Sequence, residues 1–272
     1  MDPRGQSVIV TGAASGIGAS LARAFADAGA RAVGLIDRDS IGLEQVAQSV
    51  SAKGASTSIR VLDVTEESSL VHALYSLDDD LNGVSVMCSN AGVAFGGGVE
   101  APDTSWELSW SIHVMAHVWA ARALIPRMSA RGGGHFLTTA SAAGLLTNLG
   151  AAPYAVTKHA AVALAEWMAI TYRDQGIRVS CLCPQGVRTK MLFPDGPEAN
   201  ADALSQSAVL ASGEVMEADD VAAFTIDAMR EDRFLILPHP QVHRYLVAKA
   251  NDTESWLDAM AKMNQRLSSE GS

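Results

Sequence analysis

Cysteine is scarce in these 272 residues, and the three present, Cys88, Cys181 and Cys183, are too few and too unevenly spaced for a disulfide framework or a thiolate metal site. They read as core strand residues. Positive charge is also short. Twenty Lys and Arg face 30 Asp and Glu, a formal net charge of −10, which leaves no basic surface for phosphate backbones or anionic membranes and argues against nucleic acid as a partner. No uncharged apolar run reaches the length of a transmembrane helix. The opening MDPRGQSVIVTG runs almost directly into a β-branched strand without the pattern of a signal peptide, so the expected location is cytoplasmic. Internal repeats and low-complexity tracts are absent as well. Apolar residues are abundant: 48% of the chain is hydrophobic, enough at this length to bury one large core.

Short apolar runs alternate with helical stretches along the chain. SVIVTG, RAVGLID, TSIRVLDV, VSVMCSNAG, GHFLTTAS, IRVSCLCP and RFLILP read as strands. Between them the spacing predicts helices over GIGASLARAFADAGA, from Ile41 to Lys53, from Glu66 to Tyr75, from Trp106 to Met128, around Tyr154, and from Ala218 to Arg230. That alternation predicts an α/β, doubly wound, seven-stranded parallel sheet with helices on both faces.

Gly12, Gly16 and Gly18 fall at the first strand-to-helix turn, where missing β-carbons let the backbone approach a pyrophosphate and the helix N-terminus supplies amide donors. A glycine-rich turn alone is a weak signal. Asp37 strengthens it by ending the second strand nineteen positions after Gly18, where a carboxylate can hold the ribose hydroxyls of an adenosine and repel a 2′-phosphate. Arg38 follows at once and could pair with such a phosphate instead. NAD is therefore the expected cofactor and NADP the less favoured one. A solvated strand end is the plainer reading of Asp37.

Tyr154 and Lys158 are four apart and share a helix face, with Ser141 thirteen positions upstream. The ammonium can then favour the ionised phenol. Free tyrosine titrates near ~10 and must lose roughly 2 to 3 units to act near neutrality, more than one adjacent cation ordinarily supplies. A nicotinium ring close by would add a second charge, and Ser141 could hydrogen-bond the substrate oxygen. The chemistry implied is hydride transfer.

With these motifs the chain resembles the short-chain dehydrogenase/reductase family, in the single-domain branch marked by TGxxxGxG and YxxxK. The match reads Thr11, Gly12, Gly16, Ile17, Gly18, Asp63, Val64, Asn90, Ala91, Gly92, Ser141, Tyr154, Lys158, Pro184, Val187 and Thr189, spanning roughly residues 6 to 191. The resemblance implies a Rossmann-like fold that binds a nicotinamide cofactor through Gly12, Ser15, Gly16, Ile17 and Gly18, with Asp37 and Arg38 at the adenosine ribose. Asp63 and Val64 would lie at the adenine, and Asn90, Ala91 and Gly92 beside the cofactor and central sheet. Lys158 would also bind the nicotinamide ribose beside Tyr154, and Pro184, Val187 and Thr189 would fix the carboxamide. Residues 1–238 are expected to form the catalytic and dinucleotide-binding domain, and residues 239–272 a helical extension of it.

Several positions depart from the family pattern. Gln185 stands where glycine is more usual. His113 falls where the family places an asparagine that helps hold a water relaying protons to the active-site lysine. His113 could support that water, weaken the relay, or be a hydrogen-bonded core residue. His117, one turn on, reads as structural or as part of a subunit contact. The helix around them is apolar over most of its circumference, and the resemblance points to a homodimer or homotetramer built on it and the Tyr154 helix, where Ala155 to Ala169 would allow close packing. Burial within one subunit is the alternative.

Val93, Ala94, Phe95, Leu145, Leu146, Met191, Leu192 and Phe193 flank the expected hydride site. With no obvious Arg or Lys clamp, they favour a small hydrophobic secondary alcohol or its ketone. Pro194 to Glu217 reads as a mobile lid. In the tail, Trp256, Leu257, Met260, Met263 and Leu267 recur at helical spacing behind an Asn or Asp cap, which predicts a helix packed over the substrate cleft or a neighbouring subunit. The principal reading is an NAD-dependent oxidoreductase of secondary alcohols and ketones. An NADP(H)-dependent ketone reductase, or a catalytically weak cofactor-binding regulatory protein, are the alternatives.

Overall fold

The computed structural model describes residues 1–194 and 203–270. Its centre is a seven-stranded parallel sheet of β1 (Ser7–Thr11), β2 (Ala32–Asp37), β3 (Ser56–Val61), β4 (Val86–Ser89), β5 (Gly134–Thr139), β6 (Ile177–Leu182) and β9 (Leu235–Ile236), in the order β3-β2-β1-β4-β5-β6-β9. β1 and β4 are buried throughout, as contiguous apolar runs must be when both faces of a parallel sheet are covered. Side chains alternate between two cores. Ile9 joins the layer of α3 (Glu67–Asp80), α5 (Ala116–Ala130) and α7 (Ala152–Thr171); Val8 and Val10 join that of α1 (Gly16–Asp27), α2 (Ser40–Ser51) and α9 (Ala218–Arg230). The expected doubly wound fold is present. Strand order reverses between β1 and β4, so the loops leaving their C-terminal ends diverge and open a crevice there.

Four elements differ from the sequence expectation. α3 continues past Tyr75 to Asp80, although carboxylates oppose the negative end of a helix. Buried Asp78 explains this, because it accepts from Val84 N–H at 2.7 Å and pairs with Arg127 and Arg131, each at 2.7 Å. The expected helix from Trp106 to Met128 is three pieces: α4 (Asp103–Trp110), a π-helical turn (Ser111–Met115) and α5. The last strand pairs over only two residues. Beyond the main sheet, β7 (Val187–Arg188) pairs with β8 (Met216–Glu217).

Within the expected lid, residues 195–202 lie outside the described ones, and α8 (Ala203–Ala211) follows. The tail forms α10 (Pro240–Asn251) and α11 (Thr253–Glu270), with Asp252 accepting from Ser255 N–H at 3.0 Å as the expected cap. Val242 is fully buried against Ala142 and Leu146, with Leu145, Leu237, Leu246 and Trp256 packed around them. The tail therefore covers α6 (Ala143–Leu146), the short helix just after Ser141. Tyr245 reaches the segment after α8, its hydroxyl donating to Ser212 O at 3.2 Å.

Candidate active site

The crevice floor begins at the turn from β1 into α1. Gly12 has φ +66° and Gly16 φ +51°, left-handed conformations that favour glycine. A β-carbon on Gly12 would lie 2.9 Å from Ala91 Cα, and one on Gly18 would collide with Gly12 O at 2.0 Å. Any side chain there would fill the cradle. Ser15 is the N-cap of α1, and its side chain makes no capping bond, so the first-turn amides are left for another acceptor; no acidic residue stands in that turn. Ile17 packs against the core beneath. A pyrophosphate fits such a site.

Asp37 ends β2 and faces the same turn. Its carboxylate accepts from Ala14 N–H at 3.0 Å and from Asp39 N–H at 3.1 Å, which orients it toward the cradle. Arg38 is exposed beside it. Asp63 lies just past β3, accepting from the Thr65 amide and hydroxyl, both at 2.9 Å, while Val64 is buried. After β4, Asn90 donates through Nδ2 to Thr11 O at 3.1 Å, and the Asn90 and Ala91 amides both donate to Thr11 Oγ1, at 2.9 and 3.1 Å. These bonds tie the NAG turn to β1 across the switch point.

Ser141, Tyr154 and Lys158 converge at the C-terminal end of β5. Lys158 is buried, its ammonium donating to Thr139 O at 2.9 Å and standing 5.7 Å from the centre of the Tyr154 ring. Burial pushes the Lys158 pKa down to about 8. Burial pushes the Tyr154 phenol up, and the neighbouring Ser141 hydroxyl opposes that only in part. The Lys158 ammonium stands beside the phenol where the sequence reading put it, and burial sets itself against ionisation of Tyr154. Ser141 Oγ accepts from Ala143 N–H at 3.1 Å and donates weakly to Pro184 O at 3.4 Å.

His113 is fully buried in the π-helical turn, a motif that re-aims a side chain by inserting a residue into the helix. Its Nε2 accepts from Val93 N–H at 3.1 Å, so the proton resides on Nδ1, which donates to Thr157 Oγ1 at 2.8 Å. The Thr157 hydroxyl passes on to Pro153 O at 2.7 Å. Both ring nitrogens are thus committed to protein partners, and the ring meets Tyr154 edge-on at 5.4 Å. Burial and the Lys158 charge hold its pKa well below the usual histidine range. Of the three roles open to His113, this geometry is that of a hydrogen-bonded core residue. His117 is buried too, its Nδ1 sharing a proton with Ser89 Oγ, which places it inside the subunit rather than at a contact.

Pro184, Val187 and Thr189 line the turn after β6. Pro184 O accepts from Ala142 N–H at 2.8 Å, and a β-carbon on Gly16 would meet Thr189 Cγ2 at 3.1 Å, so this segment faces the glycine cradle. Among the expected pocket residues Leu146 turns away, buried beneath Val242, whereas Val93, Phe95, Leu145, Leu192 and Phe193 are partly exposed. One cation missed by sequence reasoning approaches this region: Lys249 of α10 donates to Leu145 O at 2.8 Å and lies over the Trp256 ring. His239 and Thr157 were missed as well. Only the rule that functional groups gather at the C-terminal ends of parallel strands would have singled out His239, just past β9.

Among the described residues no helix is long and apolar enough to cross a membrane, and no group of His, Cys, Asp and Glu is arranged to hold a metal ion. Comparison with known proteins agrees with the geometry. The family model for short chain dehydrogenases matches residues 6–200. The chain is 35% identical over 239 residues to a 1-deoxy-11-beta-hydroxypentalenate dehydrogenase of Streptomyces exfoliatus, covering 85% of this chain and 82% of that protein. A short-chain dehydrogenase/reductase of Burkholderia phymatum, solved in complex with NAD, superposes with TM-score 0.84 at 29% identity over 93% of this chain and 96% of that one. An L-sorbose reductase of Gluconobacter frateurii, solved with NADPH and L-sorbose, superposes with TM-score 0.77 at 26% identity, over 87% and 97% of the two chains. The chain belongs to the short-chain dehydrogenase/reductase family of NAD(P)-dependent oxidoreductases acting on hydroxyl or ketone substrates.

Proposed function

We propose that this protein is an NAD-preferring dehydrogenase that interconverts a hydrophobic secondary alcohol and its ketone. The observation that carries the proposal is the meeting of Tyr154, Ser141 and the Thr139-bound Lys158 ammonium at one end of the sheet, across the crevice from the glycine cradle. When bound, a nicotinamide cofactor supplies or takes up the hydride. Tyr154 takes the hydroxyl proton in oxidation and returns it in reduction. Ser141 donates to the substrate oxygen and steadies the charge that develops there. Lys158, anchored by Thr139 O, holds a positive charge near the phenol and would bind the nicotinamide ribose. Gly12, Ser15, Gly16, Ile17 and Gly18 would hold the pyrophosphate, and Asp63 and Val64 would border the adenine. Asn90, Ala91 and Gly92 would line the floor, with Pro184, Val187 and Thr189 at the carboxamide.

NAD preference rests on Asp37, oriented by two backbone amides where a 2′-phosphate would otherwise lie. Support for an apolar substrate comes from Val93, Phe95, Leu192 and Phe193, which are partly exposed beside the site, and support for oxidation of a hydroxyl comes from a relative named for 1-deoxy-11-beta-hydroxypentalenate. His113 serves by holding Val93 and the Tyr154 helix in place. We also propose a cytoplasmic homodimer or homotetramer, because Trp110, Trp167 and Ile170 expose 46%, 55% and 80% of their surface on the α4 and α7 layer.

The test combines calorimetric titration with NAD and NADP and a panel of apolar secondary alcohols and ketones followed by nicotinamide absorbance. Tighter binding of NAD with turnover of at least one alcohol is the expected result. Binding of neither dinucleotide would overturn the proposal, and tighter NADP binding would transfer the selectivity to Arg38.

A further inference from the structure

Gln185, a departure from the family pattern in the turn after β6, meets the helical tail that follows β9. Gln185 Oε1 accepts from Gln241 Nε2 at 2.9 Å. His239, the N-cap of α10 and only 1% exposed, bonds two consecutive residues of the same turn. Its Nδ1 accepts from Gln185 N–H at 3.2 Å, so the ring proton sits on Nε2, which donates to Gly186 O at 2.9 Å. Gly186 O accepts a second bond from Met216 N–H at 3.0 Å. On the opposite side, Pro184 O is held by Ala142 N–H and Ser141 Oγ, at 2.8 and 3.4 Å. Three successive residues are thereby pinned between the Ser141 loop and the tail, and His239 supplies two of the bonds away from competing water.

We propose that His239 is a positioning residue that holds the Pro184–Gln185–Gly186 turn in shape to receive the nicotinamide end of the cofactor, making the C-terminal extension part of the binding site. The inference rests on the proposed function, in which this turn meets the carboxamide. A turn already fixed gives up little conformational freedom when a ligand docks, whereas a loose one must be ordered at the expense of affinity. Without the imidazole, Gln185 N–H and Gly186 O each lose a shielded partner, and the turn relaxes toward other ones.

Calorimetry with two ligands separates this role from a structural one. NAD carries the nicotinamide; ADP-ribose shares the adenosine and pyrophosphate but ends before the ring. His239→Leu is expected to weaken NAD binding roughly tenfold, the worth of one to two shielded hydrogen bonds, while leaving ADP-ribose binding unchanged. His239→Asn, whose side-chain oxygen reaches the place of Nδ1 and can accept from Gln185 N–H, should recover part of that loss. Should His239→Leu fail to fold, Gln241→Leu carries the same contrast at roughly threefold, because it removes only the side-chain bond to Gln185. Equal weakening of both ligands, or weakening of neither, would overturn the assignment. Equal affinity of the unmodified protein for ADP-ribose and NAD would likewise overturn the assignment, whereas binding of neither ligand would bring down the functional reading beneath it.

Discussion

Lys158 Nζ stands 5.7 Å from the centre of the Tyr154 ring while donating to Thr139 O at 2.9 Å, so the cation is fixed by a backbone carbonyl beside the phenol rather than paired with it. Burial acts on both groups against their charged forms, raising Tyr154 and lowering Lys158 to about 8. Alcohol oxidation needs Tyr154 to accept a proton, so the rate should climb as pH rises toward the alkaline range. Tyr154→Phe should cut turnover by about 10² to 10⁴ and abolish the climb. Initial rates across pH, read from nicotinamide absorbance, decide the matter; a variant keeping more than a tenth of the activity sinks the assignment.

Asp37 is oriented by the Ala14 and Asp39 amides, and these bonds hold its charge at one place on the crevice rim. Asp37→Ala removes the proposed ribose acceptor and also the charge that would repel a 2′-phosphate, leaving Arg38 next to the opening. The expected outcome is NAD binding weaker by about 10- to 100-fold, with NADP binding unchanged or tighter. Titration of both dinucleotides into the variant measures the ratio directly. An unchanged ratio would move the selectivity elsewhere.

The fold was legible because fully buried parallel strands must be contiguous apolar runs, and Val8 to Val10 and Val86 to Cys88 are such runs in the sequence itself. Ser141, Tyr154 and Lys158 were legible for a different reason: spacing along one helix and one strand end is a local property. Groups joined over long separations were not. His239 is 54 residues from Gln185 and Lys249 is 104 from Leu145, and neither pairing leaves a periodic trace. The π-helical turn was invisible because SIHVM keeps the apolar composition of the helix around it while changing where His113 points. Nor could spacing reveal that Leu146 would turn under Val242. The desolvation that pushes the Tyr154 phenol up could not be read from the sequence either, because only packing discloses it.

Asp78, 2% exposed, anchors the end of α3 through Val84 N–H and two arginines. Burial pushes its pKa up, but those donors outweigh it and leave the carboxyl below the usual range. Asp78→Ala strands the Val84 amide and sets Arg127 and Arg131 facing each other. Because both arginines are more than a third exposed and can turn outward, the expected loss of stability lies near the lower end of the about 3 to 5 kcal/mol typical of a broken buried pair. Urea denaturation gives the value. A loss below about 1 kcal/mol would mark the cluster as a surface ion pair in effect.

Four buried histidines should make the fold acid-labile well above the carboxylate range. Burial holds His117 down to about 3, His135 to about 4, His113 well below the usual value and His239 below it. In the unfolded chain each regains a pKa near ~6.5. As pH falls below that value the unfolded state takes up protons that the folded state refuses. The stabilising difference is whole above pH ~6.5 and is progressively lost as pH falls toward the folded values. Each histidine adds a slope of up to about 1.4 kcal/mol per pH unit, so the four together add at most about 5.5 kcal/mol per unit once the unfolded chain is fully protonated. Urea midpoints measured at intervals from pH 7.5 to 5 should therefore fall steeply. His135→Gln, which removes one of the four protons from the balance, should flatten that slope by about a quarter to a third. A stability that stays level across this interval would mean that water or local opening reaches these rings in the folded protein.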